Sequence, residues 1–126
     1  MTMAASGHEK RRHKRIEAAF GLVYSIHEPL QTRMKLGMED KDAIACDLSE
    51  GGLAISTSWP VPVGAVLNIR FRLVNSRALT EQQRSRSFKL RAEVRYMIAM
   101  PDRSYRIGLR FWNASEDDRR FISYCV

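Results

Sequence analysis

The sequence is poor in cysteine. Only two of its 126 residues are cysteines, and Cys46 and Cys125 belong to no CxxC pair or other ligand-spaced cluster. A chain of this length can bury an adequate core without disulfides or a structural metal. We therefore expect two reduced thiols rather than a disulfide framework, with a single Cys46–Cys125 bridge as the alternative.

Long hydrophobic segments are also missing. The longest nearly apolar stretch, AAFGLVYSI at residues 18–26, is far too short to cross a bilayer as a helix. The basic N-terminal region is not followed by the apolar stretch and cleavage site of a secretory signal. These absences exclude membrane insertion and predict a cytoplasmic protein of one domain.

No pattern typical of an enzyme is present. The sequence lacks a glycine-rich phosphate loop, a nucleophile elbow and a zinc-hydrolase helix. Its three histidines, His8, His13 and His27, have no metal-ligand spacing to one another or to a cysteine. We therefore expect a binding protein that is not an enzyme and carries neither a metal nor a cofactor.

Positive charge is abundant and unevenly placed. The chain has 21 Lys and Arg against 14 Asp and Glu, a net charge of +7, which favours an anionic partner. Five of the nine residues of EKRRHKRIE, residues 9–17, are Lys or Arg. Residues 1–9 before this cluster are mostly small and polar, and we predict that they form a flexible tail.

Most of the remaining chain shows the pattern of half-buried strands. Apolar residues recur at every second position, the period of a strand. Seven runs have this strand-like character, at residues 17–27, 33–40, 42–49, 53–57, 65–74, 88–100 and 105–113. Residues 75–87 are predicted to be a loop. The last segment, SEDDRRFISYCV, predicts a short helix with Ser115 as its N-cap. Six or seven strands at hairpin spacing favour a small antiparallel barrel.

A second unusual stretch is CDLSEGGLAI at residues 46–55. Asp47 and Ser49 are two apart, so in a strand their side chains share one face, and Cys46 should point the other way, into the core. Gly52 permits a positive φ, a bulge or the close approach of a flat ligand. Taken alone, this composition is also typical of an ordinary turn.

The two stretches together resemble the PilZ domain family. Its pattern is RxxxR followed by [D/N]xSxxG, and the chain matches it with Arg11, Arg15, Asp47, Ser49 and Gly52. The strand–loop–strand segment after Gly52 and the strand YRIGLRF are also similar to the family. The resemblance implies an all-β fold, a six-stranded antiparallel β-barrel with a short C-terminal helix. We predict that residues 10–126 form this single PilZ domain.

The resemblance also implies a ligand, cyclic di-GMP (c-di-GMP), whose chemistry suits these residues. Arginine can hydrogen-bond guanine O6 and N7 with two N–H groups and can stack on the base, roles that fit Arg11 and Arg15. Asp47 can accept from guanine N1–H and N2–H, and Ser49 can donate or accept beside it. Gly52 would leave room for the base.

The other basic residues of the cluster suit the phosphates. Arg12 and Lys14 would extend the positive field around the two phosphate groups, and Lys10 could hold a second, stacked nucleotide. A self-repelling basic arm could be ordered against the barrel by such a dianion. The predicted function is therefore a c-di-GMP receptor that changes the conformation of its N-terminal arm and signals to an effector protein.

Two alternatives remain open at this point. A basic barrel can bind single-stranded nucleic acid, but this requires exposed aromatic side chains on a strand face. The aromatic residues here fall mostly on the apolar side of their strands, so we do not expect nucleic acid as the partner. The other alternative is a PilZ-like adaptor that works through protein contacts without depending on a ligand.

Overall fold

The computed structural model describes residues 16–75, 78–80 and 84–126. The predicted flexible tail at residues 1–9 and its boundary with the domain lie outside the described residues. So do Lys10, Arg11, Arg12 and Arg15 of the basic cluster.

Six antiparallel strands form a closed barrel in the order β1-β2-β3-β6-β5-β4, with β4 pairing back to β1. The strands are β1 (Ile16–Glu28), β2 (Lys41–Ser49), β3 (Gly52–Thr57), β4 (Val66–Val74), β5 (Ser85–Ala99) and β6 (Tyr105–Phe111). Helix α1 (Leu30–Leu36) lies between β1 and β2, and helix α2 (Glu116–Cys125) follows β6. The predicted six-stranded barrel with a C-terminal helix is confirmed.

Alternation along the strands fills the barrel interior. On β4, Leu67, Ile69 and Phe71 are buried, whereas Arg70 and Arg72 between and beyond them are exposed. Burying such side chains is the dominant favourable term in folding, about 25 cal/mol for each Å² of apolar surface removed from water. Phe71 lies near the centre of an aromatic cluster. Its ring stacks on those of Phe88 and Phe111, at centroid distances of 4.8 and 6.3 Å.

Helix α2 is capped as its sequence predicts. The Ser115 side chain accepts a hydrogen bond from the backbone N–H of Asp118, and the Asp118 carboxylate accepts one from the N–H of Ser115. This reciprocal pair satisfies two backbone donors that a helix start leaves without partners. Phe121 and Ile122 are buried against the strands, so the predicted apolar face is confirmed.

One predicted strand is wrong. The run RMKLGMED alternates, but the structure places its first four residues in helix α1. Thr32 is buried and Leu36 packs against the core, and their spacing of four residues puts them on one side of a helix. Met34 is 73% exposed. An alternation this short is compatible with the two-residue period of a strand and with the 3.6-residue period of a helix. Only the packing of Thr32 and Leu36 distinguishes the helix from the strand.

Strand β5 also departs from the prediction. It begins at Ser85, inside the segment predicted to be a loop, and its alternation breaks between Val94 and Tyr96. A β-bulge there leaves Arg95 unpaired, and Tyr96 pairs with Gly108. Unbroken alternation along the predicted strand 88–100 would place Tyr96 and Ile98 inside the barrel with Phe88 and Val94. That register is wrong, because the extra residue turns both side chains to the outside. Ile98 is 50% exposed.

Both cysteines are free, so the expectation of two thiols is confirmed. Burial raises the pKa of the Cys125 thiol, which packs against the core. Among the described residues, no helix is both long and apolar enough to span a membrane.

Candidate functional site

The β2–β3 hairpin presents the predicted acceptor residues. Ser49 and Gly52 form the last pair before the turn, and Ser49 Oγ donates to the Gly52 carbonyl oxygen at 3.3 Å. Leu48, between Asp47 and Ser49, is buried in the core. Asp47 and Ser49 therefore share the outer side of the barrel, as their spacing predicts.

A β-bulge in β2 changes the place of Cys46. Ala45 pairs with Ile55 and Asp47 pairs with Ala54, so Cys46 is the extra residue between two consecutive pairs. Ala45 is fully buried in the core cluster, whereas Cys46 is half-buried and lies outside it. The predicted inward orientation of Cys46 is wrong, because the bulge directs two neighbouring side chains, Cys46 and Asp47, to the outer side.

Arg106 of β6 meets both of these side chains. Its Nη1 donates to Cys46 Sγ at 3.1 Å, and its Nη2 lies 3.6 Å from Asp47 Oδ2. Burial by itself lowers the pKa of the Arg106 guanidinium. The neighbouring Tyr96, Cys46 and Asp47 side chains favour the charged form and oppose this, and the net pKa is raised. Arg106 is thus held as a cation beside the Asp47 carboxylate.

Two glycines allow a close approach on this side of the barrel. A Cβ added to Gly52 would lie 1.9 Å from the carbonyl oxygen of Leu109 on the neighbouring strand β6. A Cβ at Gly108 would lie 2.0 Å from the ring of Tyr96. The packing of β3 against β6 therefore already requires glycine at position 52, apart from any role in leaving room for a base.

The start of β1 lies beside the same hairpin. Ile16 pairs with Leu48 and Glu17 pairs with Asp47. Ile16 directly follows Arg15 in the chain, so the first described residue after the basic cluster lies beside the Asp47 strand. The structure thus joins Asp47, Ser49 and Gly52 in one hairpin, whereas Lys10, Arg11, Arg12 and Arg15 stay predictions beyond the described residues.

A cleft of about 370 Å³ adjoins Arg106 on the side of the β5–β6 turn. Its lining residues are Cys46, Ser56, Met100, Pro101, Asp102, Ser104 and Arg106. Asp102 accepts hydrogen bonds from the hydroxyl and the backbone N–H of Ser104. These bonds lower the pKa of the Asp102 carboxyl, so the cleft has one cationic and one anionic wall.

Arg106 is the site residue that sequence reasoning missed. The alternation in YRIGLRF does place it on the outer side, opposite to the buried Ile107. Nothing local to that strand indicates that Asp47 lies next to it, because Arg106 is 60 residues away from its partner Cys46. Among the described residues, no group of three His, Cys, Asp or Glu side chains could hold a metal ion.

Similar structures are found among solved proteins. The inhibitor of motility MotI/DgrA from Bacillus subtilis matches with a TM-score of 0.67 and 19% identity, over 92% of this chain and 49% of that chain. The PilZ domain of YcgR from Escherichia coli, solved with c-di-GMP, matches with a TM-score of 0.58 and 18% identity, over 91% and 87% of the two chains. At these identities the likeness shows the fold.

A third match is the c-di-GMP complex of MrkH from K. pneumonia, with a TM-score of 0.58 and 19% identity, over 90% of this chain and 48% of that chain. The chain thus spans about half the length of MotI/DgrA and MrkH. Comparison with curated protein sequences gave no match. The family model of the PilZ domain matches residues 9–126, which is nearly the whole sequence and includes both motifs. The chain therefore belongs to the PilZ domain family.

Proposed function

We propose that this chain is a receptor for c-di-GMP, which binds on the outer side of the β2–β3 hairpin. The observation that carries the proposal is the β1–β2 register. Ile16, the residue that follows Arg15, pairs with Leu48, and Glu17 pairs with Asp47, so the first residues after the basic cluster lie beside the DxSxxG hairpin. Membership in the PilZ family and the c-di-GMP-bound structures of YcgR and MrkH support the choice of ligand.

The hairpin residues take the polar edge of a guanine. The Asp47 carboxylate accepts from guanine N1–H and N2–H, a pairing of two donors with two oxygens that adenine cannot match. Ser49 supplies a hydroxyl beside it. The Asp47 side chain is only 14% exposed, and partial removal from water strengthens charge-assisted hydrogen bonds of this kind.

The basic cluster supplies the opposite charge. Arg11 and Arg15 bind the guanine edge and the base face, and Arg12 faces the phosphates. Arg15 directly precedes β1 in the sequence, so we assign it to the guanine nearest the hairpin. Lys10 is the basic residue furthest from β1 in the sequence, and we assign it to a second, stacked ligand molecule.

Ligand binding also provides a signal. The cluster at residues 10–15 carries like charges that repel one another, and a dianion that binds both cluster and hairpin reduces this repulsion. The effector protein then recognises the changed surface. Hydrogen exchange of residues 5–17 tests this step, since saturating c-di-GMP should slow it, and unchanged exchange would contradict the proposal.

Calorimetric titration with c-di-GMP tests the receptor function. We expect micromolar or tighter binding by the native chain, loss of binding in Arg15→Ala, and native affinity in the control Arg72→Ala. Arg72 is an exposed cation on β4, so the control removes the same charge from the opposite side of the barrel. Absence of binding by the native protein at low salt would contradict the proposal.

The same titration separates the ligand from a nucleic acid. A ligand with two phosphates releases few counterions, so its affinity should fall only slowly with salt concentration. A polyanion that covers the basic surface would give a steep slope. A steep slope with oligonucleotides, together with no response to c-di-GMP, would favour the nucleic-acid alternative.

A further inference from the structure

We propose that Arg106 is a positioning residue that orients the Asp47 carboxylate and thereby determines the preference of the site for guanine. This inference rests on the proposed function, since it concerns how the same site recognises its ligand. Arg106 belongs to neither family motif, and its assignment comes from its contacts in this structure.

The β2 bulge is what makes the contact possible. With Cys46 as the extra residue, Cys46 and Asp47 both project outward, and one guanidinium reaches both side chains. A regular strand would send one of the two into the barrel. The bulge therefore brings Asp47 and its neighbour into range of a cation on β6.

The Arg106 guanidinium is held by another contact in addition to the one with Asp47. Its Nη1 donates to Cys46 Sγ at 3.1 Å. The Tyr96 ring lies directly over Gly108, where no side chain could fit, and Tyr96 contributes to raising the pKa of the Arg106 guanidinium. Because Cys46 holds the guanidinium from β2 at Nη1, the Nη2 group faces Asp47 from a defined direction.

The distance to Asp47 fits an orienting role. At 3.6 Å from Oδ2, Nη2 is too far for a strong hydrogen bond, so it acts on the carboxylate through electrostatic attraction. The side chains of Arg106 and Asp47 are 34% and 14% exposed. Partial burial makes their attraction stronger than that of a fully exposed ion pair. The attraction thus favours one orientation of the Asp47 carboxylate relative to Arg106.

Orientation matters most for the second hydrogen bond. A rotated carboxylate still accepts from N1–H, but it loses the in-plane geometry that serves N1–H and N2–H together. Arg106 should therefore contribute more to binding a base that carries the 2-amino group than to one that lacks it. Hypoxanthine is such a base, which makes cyclic di-IMP the matched probe.

The experiment compares c-di-GMP and cyclic di-IMP by calorimetric titration of the native chain, Arg106→Gln and the control Arg72→Gln. We expect Arg106→Gln to weaken the binding of c-di-GMP about tenfold. This corresponds to the loss of one charge-assisted hydrogen bond, the one from guanine N2–H to Asp47. Cyclic di-IMP should weaken by less than about threefold, so the preference for guanine falls. Arg106→Lys keeps the positive charge but not the planar set of N–H donors of the guanidinium. We expect it to retain part of the preference for guanine. Arg72→Gln should change neither affinity.

A double variant gives a second readout. If Arg106 acts through Asp47, Asp47→Asn/Arg106→Gln binds c-di-GMP no more weakly than Asp47→Asn alone. Thermal unfolding of each variant verifies the fold, and Arg106→Lys provides the comparison should Arg106→Gln be unstable. An equal loss for both ligands in Arg106→Gln, or no loss, would overturn the inference while native binding still supports the receptor. No binding by the native chain would overturn the proposed function and this inference with it.

Discussion

The two outer sides of the barrel differ in the size and charge of their residues. We define the site face by eight residues of β2, β3 and β6: Cys46, Asp47, Ser49, Gly52, Ala54, Ser56, Arg106 and Gly108. Asp42, Ile44 and Arg110 are further exposed residues of the same strands and lie outside this set. The arginine face consists of outward cations on β4 and β5: Arg70, Arg72, Lys89 and Arg91. The site face is made mostly of small side chains around one ion pair, whereas the arginine face carries long, exposed ones.

This difference shows which residues are constrained by their neighbours. On the site face, Gly52 and Gly108 are required because another strand or a ring occupies the space of a side chain. On the arginine face, Arg70 lies directly opposite Lys89, and like charges in that position destabilise a sheet slightly. Substitutions should therefore be costly on the site face and nearly neutral, or favourable, on the arginine face.

The largest effect is expected from Gly52→Ala. The new methyl group would collide with the Leu109 carbonyl oxygen, and separating β3 from β6 should lower the free energy of unfolding by roughly 3 kcal/mol. Urea unfolding measures it. The control is Gly21→Ala on β1, where a Cβ meets nothing within 4 Å and the change should stay within about 1 kcal/mol. Equal losses of stability in Gly52→Ala and Gly21→Ala would contradict the prediction that position 52 on the site face is the more constrained of the two.

The next effect concerns ligand affinity on the site face. On the proposed function, Asp47→Ala removes two charge-assisted hydrogen bonds to guanine and should weaken c-di-GMP binding on the order of 100-fold. Arg72→Ala on the arginine face should change it by less than about twofold, since Arg72 contacts Ser85 on the opposite side of the barrel. Calorimetric titration measures both. Comparable losses in the two variants would place the ligand on both faces or on neither.

A smaller effect is expected near the start of β5, outside the arginine face. There Arg86 pairs with the carboxylate of Asp118. Asp118 caps helix α2 and accepts from Arg86 at 2.9 Å. Burial raises the pKa of the Asp118 carboxyl, but the bonds from Ser115 and Arg86 outweigh this and lower the pKa below the ordinary carboxyl value. Its stabilisation is therefore complete above the ordinary carboxyl pKa and is lost as the pH falls below that value.

Asp118→Asn tests this contribution. We expect a loss of about 1 kcal/mol near neutral pH and a smaller difference from the native chain at about pH 3. Urea unfolding at the two pH values measures it, with Asp117→Asn as the control. Asp117 is exposed and pairs only with Arg120 on the helix surface among the contacts described, so its loss should stay below about 0.5 kcal/mol. A pH-independent effect of Asp118→Asn would assign the stabilisation to something other than the charge.

The smallest effect is expected from Lys89→Glu on the arginine face. Replacing one member of the like-charged pair with an acid should stabilise the fold by at most about 0.5 kcal/mol through attraction to Arg70, because the Arg70 guanidinium already pairs with Asp40. The gain should largely disappear at about 1 M salt, where exposed charges are screened. Chemical unfolding at low and high salt measures it. A clear destabilisation would show that the arginine face is constrained in a way its exposure does not indicate.

Much of the fold could be predicted because it depends on local pattern. The alternation in β4 identified Leu67, Ile69 and Phe71 as inward-facing, and Ser115 with its acidic neighbours identified the start of α2. The failures occur where local pattern is ambiguous. Helix α1 was assigned to a strand because its few apolar residues fit two periods, and the bulges at Cys46 and Arg95 depend on the register of a partner strand.

The candidate site divides in the same way. Asp47, Ser49 and Gly52 were found from the sequence because their spacing is short and matches a family pattern. Arg106 was not found, since its contacts with Cys46 and Asp47 arise only when β6 and β2 lie on either side of β3. The structural reason for Gly52, its approach to Leu109, was equally beyond the reach of the hairpin sequence.

The sequence by itself determined the strand pattern, the helix cap, the net positive charge and the two motifs, because each depends on residues a few positions apart. Only the tertiary structure decided which strands are neighbours, where an extra residue interrupts a ladder, and hence which side chains meet Asp47. The physical reason is that strand pairing and register result from the simultaneous packing of the whole barrel core. A contact across three strands is a consequence of that packing, and it leaves no signal in either segment alone.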